Sequence, residues 1–331
     1  MQYGDPARSL ENSIILPTAP RIPGLTFRLY RGEADLEGIE AVRQGVRAAD
    51  SDIWLPGPDP AGHDSPSNPL RDCLLAEVNG KLIGYTWLDW WTEADGTQLY
   101  LHLGWLLPEW RRKGIGRALL RWQEQRLRQI ASTHRPSEQR MFGANANEQQ
   151  PGHLALLLNE GYHAAFTVVQ MSCHLPLQPI QPLPLPDGLE LRPVQPEQHY
   201  AIYSANEEVF RASNLGYIER SYEEYLSDLK LPETDTRLWF VAWAGDQIAG
   251  LVINEIDECG GHTPWVAVQQ PWRRRGLART LMTHTLRGFQ ERGVRQAELS
   301  TIAENPSRSV HLYESVGYTI VKRWPRYRKQ M

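Results

Sequence analysis

Leu106-Leu107-Pro108-Glu109-Trp110-Arg111-Arg112-Lys113-Gly114-Ile115-Gly116-Arg117-Ala118-Leu119-Leu120 and Val268-Gln269-Gln270-Pro271-Trp272-Arg273-Arg274-Arg275-Gly276-Leu277-Ala278-Arg279-Thr280-Leu281-Met282 are two versions of one stretch. Each follows an apolar, strand-like run. Each then has a Trp, a basic cluster, a Gly, a small residue two places on, and an apolar pattern at helical spacing. Small residues let the backbone approach a ligand closely. The start of the following helix offers unpaired N–H groups and the positive end of its dipole. The stretch therefore reads as an anion cradle, most naturally for phosphate, written twice.

Working outward, the elements around the two copies come in the same order. A strand over Leu25–Leu29 is answered by one over Leu189–Arg192. The helical spacing of Glu33–Ala49 is answered by Gln198–Phe210 and Tyr217–Leu229. Asn79-Gly80 and Gly245-Asp246 each join two apolar runs as hairpin turns. After each cradle helix come a short strand, a helix ended by Gly161 or Gly317, and a closing strand, Phe166–Met171 or Tyr318–Lys322. Gly84 and Gly250, Gly114 and Gly276, and Gly161 and Gly317 are separated by 166, 162 and 156 residues. An offset that drifts only across loops marks a duplicated domain. Four segments follow: a tail over 1–23, a first domain over 24–174, a proline-rich extended linker over 175–187, and a second domain over 188–331.

Composition narrows the class. A chain of 331 residues suits two domains with separate cores, and the net charge of −4 gives no general case for nucleic-acid binding. Three widely spaced cysteines, Cys73, Cys173 and Cys259, suggest a reducing compartment and no disulfide framework or metal site. No signal peptide or membrane-length apolar run is seen, so a cytoplasmic location is expected.

Strand, helices, hairpin, strand, Arg-x-x-Gly-x-(Gly or Ala), helix, strand, helix, Gly-Tyr, strand: the chain resembles the GNAT acyltransferase superfamily, in a tandem layout similar to mycothiol synthases. The resemblance runs from about Leu25 to Tyr327. It rests on Arg111-x-x-Gly114-x-Gly116 and Arg273-x-x-Gly276-x-Ala278. It implies an α/β (α+β) fold of two tandem domains, each a twisted mixed sheet flanked by helices, with central strands that splay apart to admit pantetheine. It also implies acetyl-CoA as cofactor, held in the second domain by Val266, Ala267, Val268, Arg273, Arg274, Arg275, Gly276, Leu277, Ala278, Arg279, Asn305 and Ser307. The first-domain counterparts are Leu106, Arg111, Arg112, Lys113, Gly114, Ile115, Gly116 and Arg117.

Acyl transfer from a thioester to an amine needs a base, oxyanion donors and an acid for the departing thiolate. Tyr313, four residues before Gly317, stands where the family often places that acid. His262 and Glu255 are candidate bases, with Asp257 as a rival. A half-buried helix aromatic, an exposed hairpin residue and a helix-start turn are the plain structural readings of Tyr313, His262 and Asn305. The first domain has Leu157, Gln149 and Tyr100 at the positions of Tyr313, Asn305 and His262. Leucine donates no proton, so the first domain is expected to bind acetyl-CoA or to be structural, and the second to be catalytic. His102 and His153 read as packing or surface residues.

The expected activity is acetyl transfer to a primary amine, on a small molecule or a peptide, by direct attack in a ternary complex. Its alternatives are a coenzyme A sensor or scaffold without turnover, and transfer of another acyl group or to a hydroxyl. The layout is compatible with a monomer built as an internal pseudo-dimer, or a weak homodimer.

Overall fold

A computed structural model describes residues 13–50, 65–212 and 215–331. The chain forms two compact units: 1–92, 96–165 and 325–331 make unit 1, and 93–95 and 166–324 make unit 2. The expected tail falls partly outside the described residues. Its 13–23 portion is packed rather than loose: Ile14 N–H donates to Phe27 O at 2.7 Å, and Leu16 is buried.

In unit 1 the elements are β1 (Leu25–Leu29), α1 (Leu36–Ala49), α2 (Pro69–Asp72), β2 (Leu74–Val78), β3 (Lys81–Thr92), β4 (Gln98–Leu106), α3 (Ile115–Ala131), β5 (Arg140–Asn145) and α4 (Pro151–Asn159). Next in sequence comes β6 (His163–His174). Unit 2 continues with β7 (Glu190–Arg192), α5 (His199–Ala212), α6 (Tyr222–Asp228), β8 (Phe240–Ala244), β9 (Gln247–Asp257), β10 (Gly260–Val268), α7 (Leu277–Glu291), β11 (Gln296–Ile302) and α8 (Ser309–Glu314). The last strand is β12 (Thr319–Gln330).

Each sheet is mixed. β1 to β4 pair antiparallel in succession, and β4 then meets β5 in parallel. β7 to β10 repeat this, with β11 parallel to β10. The strands run hydrophobic through their centres because both faces are covered by helices. In unit 2, for example, Ala249, Leu251, Val252 and Ile253 of β9 are all buried.

The closing strands are exchanged. β6 lies in the first half of the sequence, yet its residues Val168–His174 pair antiparallel with β11 in unit 2. Residues Arg326–Gln330 of β12 pair antiparallel with β5 in unit 1. The division expected between 174 and 175 therefore differs from the compact units, because each sheet takes its closing strand from the other half of the sequence. Local pattern identifies a closing strand but not its partner, because either sheet offers the same ladder.

The proline-rich segment is also more than a spacer. Ile180 N–H donates to Gln290 Oε1 at 2.8 Å, Leu183 N–H to Thr283 Oγ1 at 3.0 Å, and Thr280 Oγ1 to Pro184 O at 3.1 Å. It lies as a strap along α7.

Candidate active site

The two cradles have the same backbone. Arg112 and Gly114 take φ of 62° and 86°, and Arg274 and Gly276 take 60° and 84°. The two left-handed residues are two positions apart in each loop, and Gly at the second carries no Cβ penalty. No side chain caps α3 or α7, so their first-turn N–H groups face the cradle. A Cβ on Gly116 would sit 3.5 Å from Leu156 Cδ2, an ordinary contact. Packing thus tolerates more than hydrogen there, and the missing carbon leaves room for a ligand. Helix end, cradle and open strand edge suit a pyrophosphate with an extended arm, as coenzyme A would supply.

The basic residues divide into structural and free ones. Arg111 spends both terminal nitrogens on the buried Asp50 carboxylate, at 2.7 and 2.8 Å, and its Nε on Leu106 O at 3.0 Å. Arg273 makes the matching main-chain bond to Val268 O at 2.8 Å, without a carboxylate. Both first arginines therefore pin strand to loop. Lys113 lies 4.9 Å over Trp110, and Arg275 4.9 Å over Trp272. Arg117 pairs with Glu160 at 2.9 Å, and Arg279 reaches Ser315 O at 3.5 Å. Arg112 and Arg274, at the left-handed positions, have no ion-pair partner among the described residues.

The strands splay as the resemblance implies. β10 and β11 are paired only at Gly261–Ala297 and His262–Glu298. From Thr263 to Val268, the β11 side of β10 has no ladder. Val266, Ala267 and Val268 are held on the other side by Val252, Leu251 and Gly250. β4 leaves β5 after Leu101–Gly143. β10 also carries a bulge, with Thr263 and Pro264 facing the single residue Asn254. β4 pairs with β3 without any shift. Bulges bend a strand and re-aim its side chains, and are enriched beside active sites.

Around the β10 splay, the predicted bases come together. His262 and Glu255 are direct cross-strand partners. His262 Nε2 also meets Asp257 Oδ1 at 3.0 Å. Burial raises the Glu255 carboxyl above its ordinary range, and the charges of Glu233 and Asp228 push the same way. Asp257 is held low, first by the Cys259 N–H it accepts. Glu255 is thus the carboxylate tuned toward neutrality. Tyr313 is 7% exposed, and burial raises its hydroxyl, which keeps its proton near neutral pH. α8 packs on α7, and Asn254 bonds Thr285 of α7 at 3.1 Å. Strand alternation then puts Glu255, next to Asn254, on the face opposite α7 and α8. Asn305 accepts the Ser307 N–H at 2.9 Å, so it forms a turn before α8, and Ser307 is exposed.

Unit 1 differs. A cleft of about 600 Å³ lies between β4, the first cradle and α4, lined among others by His102, Leu106, Arg112, Gly116, His153 and Leu156. Leu157 is fully buried under it. His102 is buried, with Nε2 2.6 Å from Tyr162 Oη, and Tyr162 donates to Glu124 Oε1 at 2.8 Å. Glu124 also receives Lys329 Nζ at 2.8 Å and Arg128 at 3.2 Å. Neither Tyr162 nor Glu124 stands out as functional in the sequence. The available signal is an acid at Glu124, on the apolar face of α3 between Leu120 and Leu127, all three buried. Among the described residues, no group of three or more His, Cys, Asp or Glu is set to hold a metal, and no helix is long and apolar enough to cross a membrane.

Two helix-flanked mixed sheets, each with splayed strands beside an uncapped helix and a glycine loop, have the architecture of the GNAT fold. The chain belongs to the GNAT acetyltransferases. The acetyltransferase (GNAT) family model matches residues 39–137 and the acetyltransferase (GNAT) domain model residues 235–320, together more than half of the chain. No curated protein matches it. Among solved structures, it is similar to a GCN5-related N-acetyltransferase from Sphaerobacter thermophilus, at 24% identity and a TM-score of 0.71, over 92% of this chain and 95% of that one. It is also similar to a tandem GNAT protein from the clavulanic acid biosynthesis pathway, at 18% identity and a TM-score of 0.59, over 92% and 98%. A third is the glucosamine N-acetyltransferase region of a fungal multi-domain GH3 beta-N-acetylglucosaminidase, at 15% identity and a TM-score of 0.63, over 93% of this chain and 38% of that one. At these identities the likeness is one of fold.

Proposed function

We propose that the protein transfers the acetyl group of acetyl-CoA to a primary amine, in the second unit and in one ternary complex. The observation that carries this is the splay of β10 from β11, with Glu255 on one face of the sheet and Tyr313 on the other. When bound, the thioester supplies the electrophilic carbon. Arg274 and the α7 N-terminus hold its phosphates, and Val266 to Val268 offer main-chain groups to the pantetheine arm. Glu255 takes the proton of the incoming ammonium, directly or through water, with His262 and Asp257 beside it. Tyr313 gives its proton to the departing sulfur. Glu233 and Asp228, whose charges act on Glu255, favour a cationic acceptor, on a small molecule or a peptide. Free cysteines suit a cytoplasmic setting.

The test is thiol release from acetyl-CoA with spermidine, glucosamine and a lysine peptide as acceptors. Tyr313→Phe is expected to lower kcat by about 10²-fold or more, as loss of a general acid does. Wild-type turnover in Tyr313→Phe at every pH would remove the assignment. Isothermal titration with coenzyme A reports the cradles separately: Gly276→Val should remove the unit 2 site, because φ of 84° is closed to a β-branched residue.

A further inference from the structure

Duplication lets the interiors of the two units be compared. In unit 2, the polar interior beside β10 is uncharged. Thr263 Oγ1 donates to Asn254 Oδ1 at 2.9 Å, and Asn254 Nδ2 donates to Leu238 O at 2.7 Å and to Thr285 at 3.1 Å. In unit 1, Gln123, the counterpart of Thr285, donates to Trp87 O at 3.2 Å and Leu103 O at 2.6 Å, and the interior beside β4 also holds an ionisable chain of contacts: His102, Tyr162, Glu124 and Lys329. Buried ionisable groups are costly, and replacing them with neutral residues is often stabilising. Stability alone therefore gives no reason for unit 1 to keep them.

Hydrogen-bond polarity fixes the direction of this chain. The Tyr162 hydroxyl has one proton and gives it to Glu124 Oε1. Its oxygen must then accept from His102, so Nε2 carries the ring proton. Nδ1 is left with a lone pair and finds no partner among the described residues. His102 lines the cleft that also holds the first cradle. The result is a nine-tenths-buried ring with an unused acceptor in a cavity that ends at an uncapped helix of 17 residues.

We propose that the first unit is a second acyl-transfer centre, in which His102 takes the proton of the attacking amine and passes it through Tyr162 to Glu124. This goes beyond the second-unit reading and does not depend on it. It departs from the expectation, drawn from Leu157, Gln149 and Tyr100, that this half binds acetyl-CoA or is structural. The amine nitrogen bonds to the acyl carbon as the carbon–sulfur bond breaks. The nitrogen's proton goes to His102 Nδ1, the Nε2 proton to Tyr162, and the hydroxyl proton to Glu124. The leaving thiolate takes a proton from solvent, and once the amide has left the wire runs back: Glu124 returns its proton to Tyr162, Tyr162 returns one to Nε2, and Nδ1 releases one to solvent, so the sum is amide plus thiol. A relay fits this site better than a lasting imidazolium. Burial, His153 and Lys329 lower His102 from 6.5 to about 3, so the ring resists a net charge. The wire leaves the ring neutral, in its other tautomer. Lys329 and Arg128 hold Glu124 as the end of the wire.

The test uses the full chain with unit 2 disabled by Glu255→Gln and Tyr313→Phe. Thiol release from acetyl-CoA with the same three amines is expected to persist, to fall at least tenfold with His102→Gln, and to fall severalfold with Tyr162→Phe. Tyr162→Phe keeps the ring, so it separates the wire from packing, and thermal melts check folding. A multi-proton solvent isotope effect should be present in the parent and lost in Tyr162→Phe. Independently of turnover, ¹⁵N NMR of the His102 ring should show the Nε2–H tautomer, with an Nδ1 shift that moves when coenzyme A is added. No residual turnover in the disabled parent overturns the proposal, as does residual turnover indifferent to His102→Gln, or a ring in the Nδ1–H tautomer. Unaltered turnover on disabling unit 2 would instead sink the second-unit reading and leave this one standing.

Discussion

Arg111 and Arg112 are neighbours with separate tasks. Arg111 is fastened to Asp50 and Leu106 O, and Arg112 stands free at the left-handed turn. Arg111→Ala strands a buried carboxylate, so it should cost about 1–3 kcal/mol of stability in urea unfolding. Arg112→Ala should leave stability within about 0.5 kcal/mol and weaken coenzyme A binding to unit 1. Equal effects on stability would show that the division is wrong. Leu157→Ala opens a cavity at a fully buried position, for which about 2–5 kcal/mol is expected. A pH dependence follows from His102, which burial lowers from 6.5 to about 3. Between those values the unfolded chain binds more protons than the folded one. Stability should therefore be full above pH 6.5 and fall as the pH drops toward 3. Denaturant midpoints against pH, with His102→Gln giving a shallower slope, check the sign. At this scale motif position singled out Tyr313, His262 and the two glycine loops as candidates, and the two loops share one backbone conformation. It hid the pairing of Arg111 with Asp50 and the Glu124 wire, because those partners meet only after distant segments pack.

Elements show the same division. Both cradles, both hairpins and nearly every helix were legible, because each is set by local period and turn chemistry. The bulge in β10 and its absence in β4 were not, since a bulge is defined by what lies across the ladder. That bulge sits over Asn254, which three neighbours use for hydrogen bonds. Asn254→Ala leaves the Leu238 carbonyl and two hydroxyls short of a partner, and should cost about 1–3 kcal/mol, read from urea midpoints. Loss of function larger than that of any equally destabilising core variant of unit 2 would tie the bulge to catalysis. The strap along α7 is a further case. Proline density announces an extended segment, but Gln290 and Thr283, about a hundred residues away, decide where it lies.

At the scale of the whole chain, the exchanged strands make each unit depend on both halves of the sequence. A chain ending at Trp324 lacks the β5 partner Arg326–Gln330. Hydrogen exchange should then rise at Arg140–Asn145 while β8 and β9 stay protected; unchanged protection at β5 would contradict the pairing. Residues 1–174 and 175–331, expressed apart, should each be unstable, since the first lacks the β12 residues and the second lacks β6. Such long-range pairing also predicts slow folding. By itself the sequence determined a duplicated GNAT domain with two matching glycine loops at helix starts, and a tyrosine at position 313 where the other copy has Leu157. Those features are written in short windows, where spacing and residue type fix the backbone. Only the tertiary structure decided which sheet each closing strand joins, which arginine is free, and that His102, Tyr162, Glu124 and Lys329 form one chain. Hydrogen-bond ladders and buried charges choose partners by proximity in space, which local pattern does not encode.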